Sequence, residues 1–369
     1  ICDGIETGGV LLLFVKVDDL RPGMRLGKPI YNKNGVLLHD RDTKLNMQAI
    51  YAIRNFGLLG LYILEPAEPL PPLTDDDIMF ERFQAMAVFS IREDMGLICE
   101  GKKDKGMEWL CGLVMKNFAS LDHRINFVQS LRSTDDFIYK HSMNVAILSA
   151  LIGGHMDLPQ GSMRNLIKAA VLHDIGVMEH PGIMNGDVLE QNQKEAIRNS
   201  TQEILNKSID LDESIVRIVN HMQNLYCNEE QGFSDAMLAN VEANILYIAD
   251  SYDRMTAMKS HTEPTSEVKA IRELLSKGDQ YEPSIVNALI KAINILYPSV
   301  CVELTNGEKG LVIRANEEDI FRPIVLGFRD NVLYDLAVTG EDIQIKDVMK
   351  TMDNRIKLDR ELLAQYQEK

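Results

Sequence analysis

Five residues in a long, mostly apolar stretch carry side chains that could act together on a cation: His141, the adjacent pair His173 and Asp174, His221 and Asp250. Imidazole nitrogens combined with carboxylate oxygens suit borderline and hard divalent cations such as manganese, iron or zinc. A cation of this kind can lower the pKa of a bound water and polarise an oxygen of a bound molecule. Spacing alone proves little here. Each residue falls inside or at the end of a predicted helix, and helices can point such groups inward together.

The segment Asn165-Leu-Ile-Lys-Ala-Ala-Val-Leu-His-Asp-Ile-Gly176 reads as a buried helix that delivers two polar side chains and stops at Gly176. A buried carboxylate without a partner is very costly, and a metal would satisfy His173 and Asp174 at once. The alternative is that His173 caps a helix C-terminus and Asp174 opens the next turn, both ordinary surface chemistry. Asp250 ends another apolar run, Asn244-Ile-Leu-Tyr-Ile-Ala-Asp250, and Asp253 lies one turn further along the same face.

These segments belong to a region, residues 106–296, that reads as helix after helix, with loops marked by Gly153-Gly154, Pro159-Gln160-Gly161 and Pro181-Gly182. Residues 1–14 are an unassigned leader. Residues 15–64 read as a small α/β domain: a strand near Val15, a hairpin turning at Asn34-Gly35, a helix from Asn46 to Asn55, and a strand from Leu59 to Leu64. Residues 65–105 form a linker rich in proline (Pro66, Pro69, Pro71, Pro72) followed by a helix starting near Thr74. Residues 297–342 switch to strands around the Asn306-Gly307 turn, and residues 343–369 read as a helical tail. The expected fold class is multi-domain and mainly α, an all-α domain flanked by a small N-terminal α/β domain and a small C-terminal β appendage.

Composition narrows the function. Acidic residues outnumber basic ones 55 to 39, a net charge of -16 that argues against bulk nucleic-acid binding. A small anionic substrate could still bind where a cation neutralises it. The five cysteines are scattered without zinc-knuckle spacing and read as reduced thiols. The apolar run Val10–Val15 is far shorter than the ~20 residues of a membrane helix, so the expectation is no membrane span and a cytoplasmic location. His155, His180 and His261 read as surface or loop histidines, and the 18 methionines as adaptable core.

The order His141-Ser142, Leu172-His-Asp-Ile-Gly176, Ile248-Ala-Asp250 resembles the H…HD…D pattern of the HD phosphohydrolase superfamily. Pro181 and the run Ala249-Asp-Ser-Tyr-Asp-Arg-Met-Thr-Ala257 are similar to its HD-GYP branch, whose members hydrolyse cyclic di-GMP at a metal centre. The flanks Leu20-Arg-Pro-Gly-Met24 and Tyr297-Pro298 with Val302-Glu-Leu-Thr-Asn-Gly307 also resemble small units that accompany such domains. The resemblance implies an HD-type helical domain in which His141, His173, Asp174 and Asp250 hold a divalent ion, with His221 as an addition and Asp174 also catalytic.

The pattern breaks at three places. Val177 stands where the family has a Lys, no His occurs between His180 and His221, and His221-Met222-Gln223 replaces His-His-Glu, with the Gly-Tyr-Pro loop absent after it. These departures imply one metal per chain. The reading is therefore a divergent phosphodiesterase or phosphohydrolase with cyclic di-GMP as leading substrate. The alternative is an inactive regulatory or nucleotide-sensing module acting through protein contacts. Protein partners are expected in either case, and a homodimer is compatible with both.

Overall fold

The computed structural model describes residues 12–31, 36–55, 58, 60–64, 75–127, 129, 136–180, 183, 189–228, 239–257, 264–298, 300–329, 331–339 and 342–349. The Asn34-Gly35 turn, the proline-rich linker, Thr74, His261 and the tail from residue 350 lie outside them.

The N-terminal unit contains β1 (Leu12–Lys16), β2 (Arg25–Leu26), β3 (Ile30–Tyr31), β4 (Leu37–His39), α1 (Met47–Asn55) and β5 (Gly60–Leu64). Strands β1 and β2 flank β5 in one antiparallel sheet, and β3 pairs with β4. Asn46 caps α1, its Oδ1 accepting from the Ala49 N–H at 2.8 Å. Val15, Leu26, Ile50, Ile53 and Leu61 belong to a small core of the unit's own.

The helical body runs through α2 (Asp75–Cys99), α3 (Met107–Val114), α4 (Phe137–His155), α5 (Gln160–Leu172), α6 (Gln191–Lys207), α7 (Glu213–Cys227), α8 (Val241–Thr256), α9 (Glu267–Ser276) and α10 (Pro283–Ala292). Helix α4 is the central rod: apart from Lys140, Gly154 and His155 every residue in it is buried, as expected of a helix that is apolar all round. It packs against α2, α5, α8 and α10. Gly153 and Gly154 lie within this helix rather than in the predicted loop. A Cβ on Gly154 would lie 2.2 Å from the Ala119 carbonyl oxygen, so the glycine serves close packing, not a turn. No helix among the described residues is long and apolar enough to cross a membrane.

Strands β6 (Cys301–Leu304), β7 (Lys309–Arg314), β8 (Ile324–Gly327), β9 (Leu333–Asp335) and β10 (Ile345–Val348) form one antiparallel sheet in the order β10-β6-β7-β8-β9. The expected helical tail is thus corrected over residues 345–348. Helix-permissive composition yields there to the open edge of β6, whose backbone groups pair with β10 while Ile345 is fully buried. Val302, Leu304, Val312, Val325 and Ile345 share one apolar core with the helices. The architecture is multi-domain and mainly α, with small sheets at each end.

Candidate metal centre

Three helices deliver the cluster. His141 projects from the buried rod α4, His173 caps the C-terminus of α5 with Asp174 next to it, and Asp250 comes from the middle of α8. Helix α5 ends at Leu172, and a 3-10 turn over Ile175–Glu179 follows. Gly176 sits inside that turn rather than ending the helix. Its missing side chain lets α6 approach, because a Cβ there would lie 2.4 Å from the Ile197 carbonyl oxygen and 2.6 Å from the Thr201 nitrogen. The Gly176 N–H donates to Thr201 Oγ1 at 3.1 Å, which anchors the turn holding Asp174.

One donor atom from each of His141, His173, Asp174 and Asp250 lies within 4.8 Å of the others, and all four residues are buried. His141 Nε2 is 2.9 Å from Asp250 Oδ1, and His173 Nε2 is 3.2 Å from the same oxygen. Asp174 Oδ2 stands 3.7 Å from His141 Nε2 and 3.6 Å from His173 Nε2. Asp174 is the outermost of the four, its side chain 10% exposed against 0–1% for the rest.

Both rings are fixed from behind. His173 Nδ1 lies 2.8 Å from the Ala170 carbonyl oxygen, which can only accept, so Nδ1 carries the proton. His141 Nδ1 lies 2.7 Å from Asp253 Oδ2, placing a carboxylate behind the ring. Asp253 Oδ1 in turn accepts from Asn144 Nδ2 at 2.9 Å and from Gln129 Nε2 at 3.0 Å. Both Nε2 atoms therefore turn inward, 3.2 Å from each other and 2.9 and 3.2 Å from Asp250 Oδ1. Two inward-facing imidazole nitrogens with two carboxylates form a donor set that fits a divalent cation.

Arg254 adds a charge that the spacing of the motif did not indicate. Its Nε donates to both oxygens of Asp250 at 2.9 Å, and its Nη2 donates to Asp174 Oδ2. Burial opposes ionisation of Asp174 and Asp250, but Arg254 and the histidines outweigh it and hold both carboxyls below the usual range. Burial likewise pulls His173 down, and Asp174 and Asp250 overcome it to raise the imidazole above its ordinary value.

The structure brings together four of the five residues singled out in the sequence. His221 is the exception. It stands outside the cluster and lines an open cleft of about 540 Å³ with Leu205, Leu211, Asn220 and Asn224. The reason is helical phase: two residues on, about 200° around the helix, the buried Gln223 donates from Nε2 to the His173 carbonyl at 2.8 Å. Val177, where the resemblance calls for a Lys, is buried and apolar. The sequence reading missed Gln129, Asn144 and Arg254. The first two gave no signal, being ordinary amides far from their partners along the chain. Arg254 was visible only as the residue after Asp253 on an amphipathic helix.

The comparisons agree with this geometry. The family model described as HD domain matches residues 138–255. A cyclic di-GMP phosphodiesterase of Pseudomonas aeruginosa is 24% identical over 204 residues, covering 54% of this chain and 49% of the relative. Cyclic di-GMP phosphodiesterase PdeB of Borreliella burgdorferi is 24% identical over 200 residues, covering 50% of each. The chain thus spans about half the length of the curated relatives it matches. With the ordered His, His-Asp and Asp gathered at one buried point inside the matched segment, residues 138–255 are an HD domain.

Proposed function

We propose that the chain is a metal-dependent phosphodiesterase with cyclic di-GMP as its leading substrate. The observation that carries this reading is the buried cluster of His141, His173, Asp174 and Asp250, with both Nδ1 atoms committed and both Nε2 atoms facing inward. The names of the two relatives support the substrate class. A divalent manganese, iron or zinc ion, one per chain, would supply Lewis-acid polarisation of a phosphoryl oxygen and a nucleophile at neutral pH.

The protein's own part is positioning. Asp253, Gln129 and Asn144 lock the His141 ring, the Ala170 carbonyl locks His173, and both point Nε2 at one spot. Asp174, the most exposed of the four, is the carboxylate placed to orient a water and take its proton as the oxygen adds to phosphorus. The phosphorus–oxygen bond to the neighbouring ribose then breaks, and that oxygen takes up the proton that Asp174 received from the water.

A regulatory module is the second reading, favoured by Arg254, whose ion pairs satisfy Asp174 and Asp250 within the protein itself. One experiment separates the two. Purified protein is assayed for metal content and then for hydrolysis of cyclic di-GMP with added manganese or iron. The enzyme reading expects about one metal per chain and a linear dinucleotide product that His173→Ala and Asp174→Ala abolish. Metal below one per chain with no turnover sinks it. Variants that only lower the melting temperature would make the cluster structural.

A further inference from the structure

We infer that Arg254 is the cluster's own second cation, which confines it to a single divalent ion and sets how tightly that ion is held. This rests on the metal reading above. Arg254 follows Asp253 on α8 and turns its guanidinium back one helical turn onto Asp250, while Nη2 reaches across to Asp174 beside the end of α5. Its Cζ lies 5.0 Å over the Tyr226 ring, and the side chain is 20% exposed. The guanidinium is therefore wedged between two carboxylates and an aromatic face rather than extended into solvent. A guanidinium stays charged in proteins, and this one is paired with both Asp250 and Asp174.

Charge balance carries the argument. The buried site holds three carboxylates, Asp174, Asp250 and Asp253, and one guanidinium, so one divalent ion brings it to neutrality. A second ion would leave two positive charges in excess in a space where an uncompensated charge is strongly unfavourable. It would also have to take carboxylate oxygens that Arg254 already holds. The first ion shares Asp250 with the guanidinium, so the two cations repel across a few ångströms of poorly screened interior. Arg254 thus weakens the ion it accompanies. A residue that only braced the two carboxylates would do the opposite, because removing the brace would loosen the site.

The direction of the change in affinity is the test. Chelator-treated full chain is titrated calorimetrically with manganese chloride, comparing wild type with Arg254→Gln, Arg254→Met and Arg254→Lys, each first checked for a cooperative melting transition. Wild type is expected to take up one manganese, and the neutral variants to bind it at least about tenfold more tightly or to accept a second ion. Two neutral variants are used so that one folded protein suffices. Arg254→Lys keeps the charge and should stay at one ion, within about threefold of wild type. Wild-type binding that the neutral variants merely match or weaken overturns the inference, as does a Lys variant that tightens like the neutral ones. Uptake by none of the proteins sinks the metal reading itself.

Discussion

Asp253 shows how the site depends on a residue that is not one of the four clustered side chains. Its Oδ2 accepts a hydrogen bond from His141 Nδ1 at 2.7 Å, and its Oδ1 accepts from the side-chain amides of Asn144 and Gln129. In Asp253→Asn one oxygen can still accept from His141, but the new NH₂ then faces two donor amides, each of which loses one of its acceptors and keeps the other, Gln129 Oε1 for Asn144 and Thr256 Oγ1 for Gln129. Manganese affinity is expected to fall by about 10–100-fold, read by the same calorimetric titration. His173 makes a pH prediction at the same scale. Asp174 and Asp250 favour its protonated form above the ordinary imidazole value, and the ion must displace that proton. Manganese affinity should therefore climb as pH rises through the region above about 6.5, with proton release detectable as a buffer-dependent enthalpy. Flat affinity from pH 6 to 8 would contradict this. The four clustered residues were legible because their types and order repeat a known pattern. Asp253 was legible only as a carboxylate one turn past Asp250, and Gln129, more than a hundred residues away in sequence, not at all.

At the scale of elements, the turn after α5 decides where Asp174 stands. Gly176 fits against α6 only because it lacks a Cβ, and the atoms it would strike include the Ile197 and Thr201 backbone, which cannot swing aside as a flexible side chain can. Gly176→Ala is expected to destabilise the fold by about 1–3 kcal/mol through overpacking and to lower metal affinity with it, since the turn must move and Asp174 moves too. Thermal melts with and without manganese check both parts. A variant with wild-type melting temperature and wild-type metal affinity would refute this account of the turn. The sequence reading located this glycine at the helix end, and the structure assigns it to helix–helix contact. A glycine near the end of an apolar run carries the same local signal in either role, and only the packing of α6 distinguishes them. The last strand was missed for a similar reason: Ile-Lys-Asp-Val is helix-permissive by itself and becomes a strand because β6 has an edge to pair.

Across the whole molecule, the two flanking units are attached to the helical body in different ways. The N-terminal unit keeps its own core and reaches the body through contacts that include a hydrogen bond from Lys28 Nζ to the Gln129 carbonyl at 3.1 Å. The C-terminal sheet instead shares the main core and is tied to α9, where Arg272 donates to the Lys346 carbonyl at 3.1 Å and Lys269 pairs with Asp347 at 2.5 Å. Burying one large aliphatic side chain contributes roughly 1.5–3 kcal/mol. Exposing the helix faces beneath Val302, Leu304, Val312, Val325, Leu336 and Ile345 would then cost about as much as a domain's entire stability of about 5–15 kcal/mol. A chain lacking residues 1–64 is accordingly expected to melt cooperatively and to keep the buried His–Asp cluster. A chain lacking residues 297–369 is expected to aggregate or to lose its cooperative transition. Differential scanning calorimetry of both truncations decides the matter. If the second folded normally while the first did not, the sheet would be the appendage and the N-terminal unit the structural partner of the HD domain.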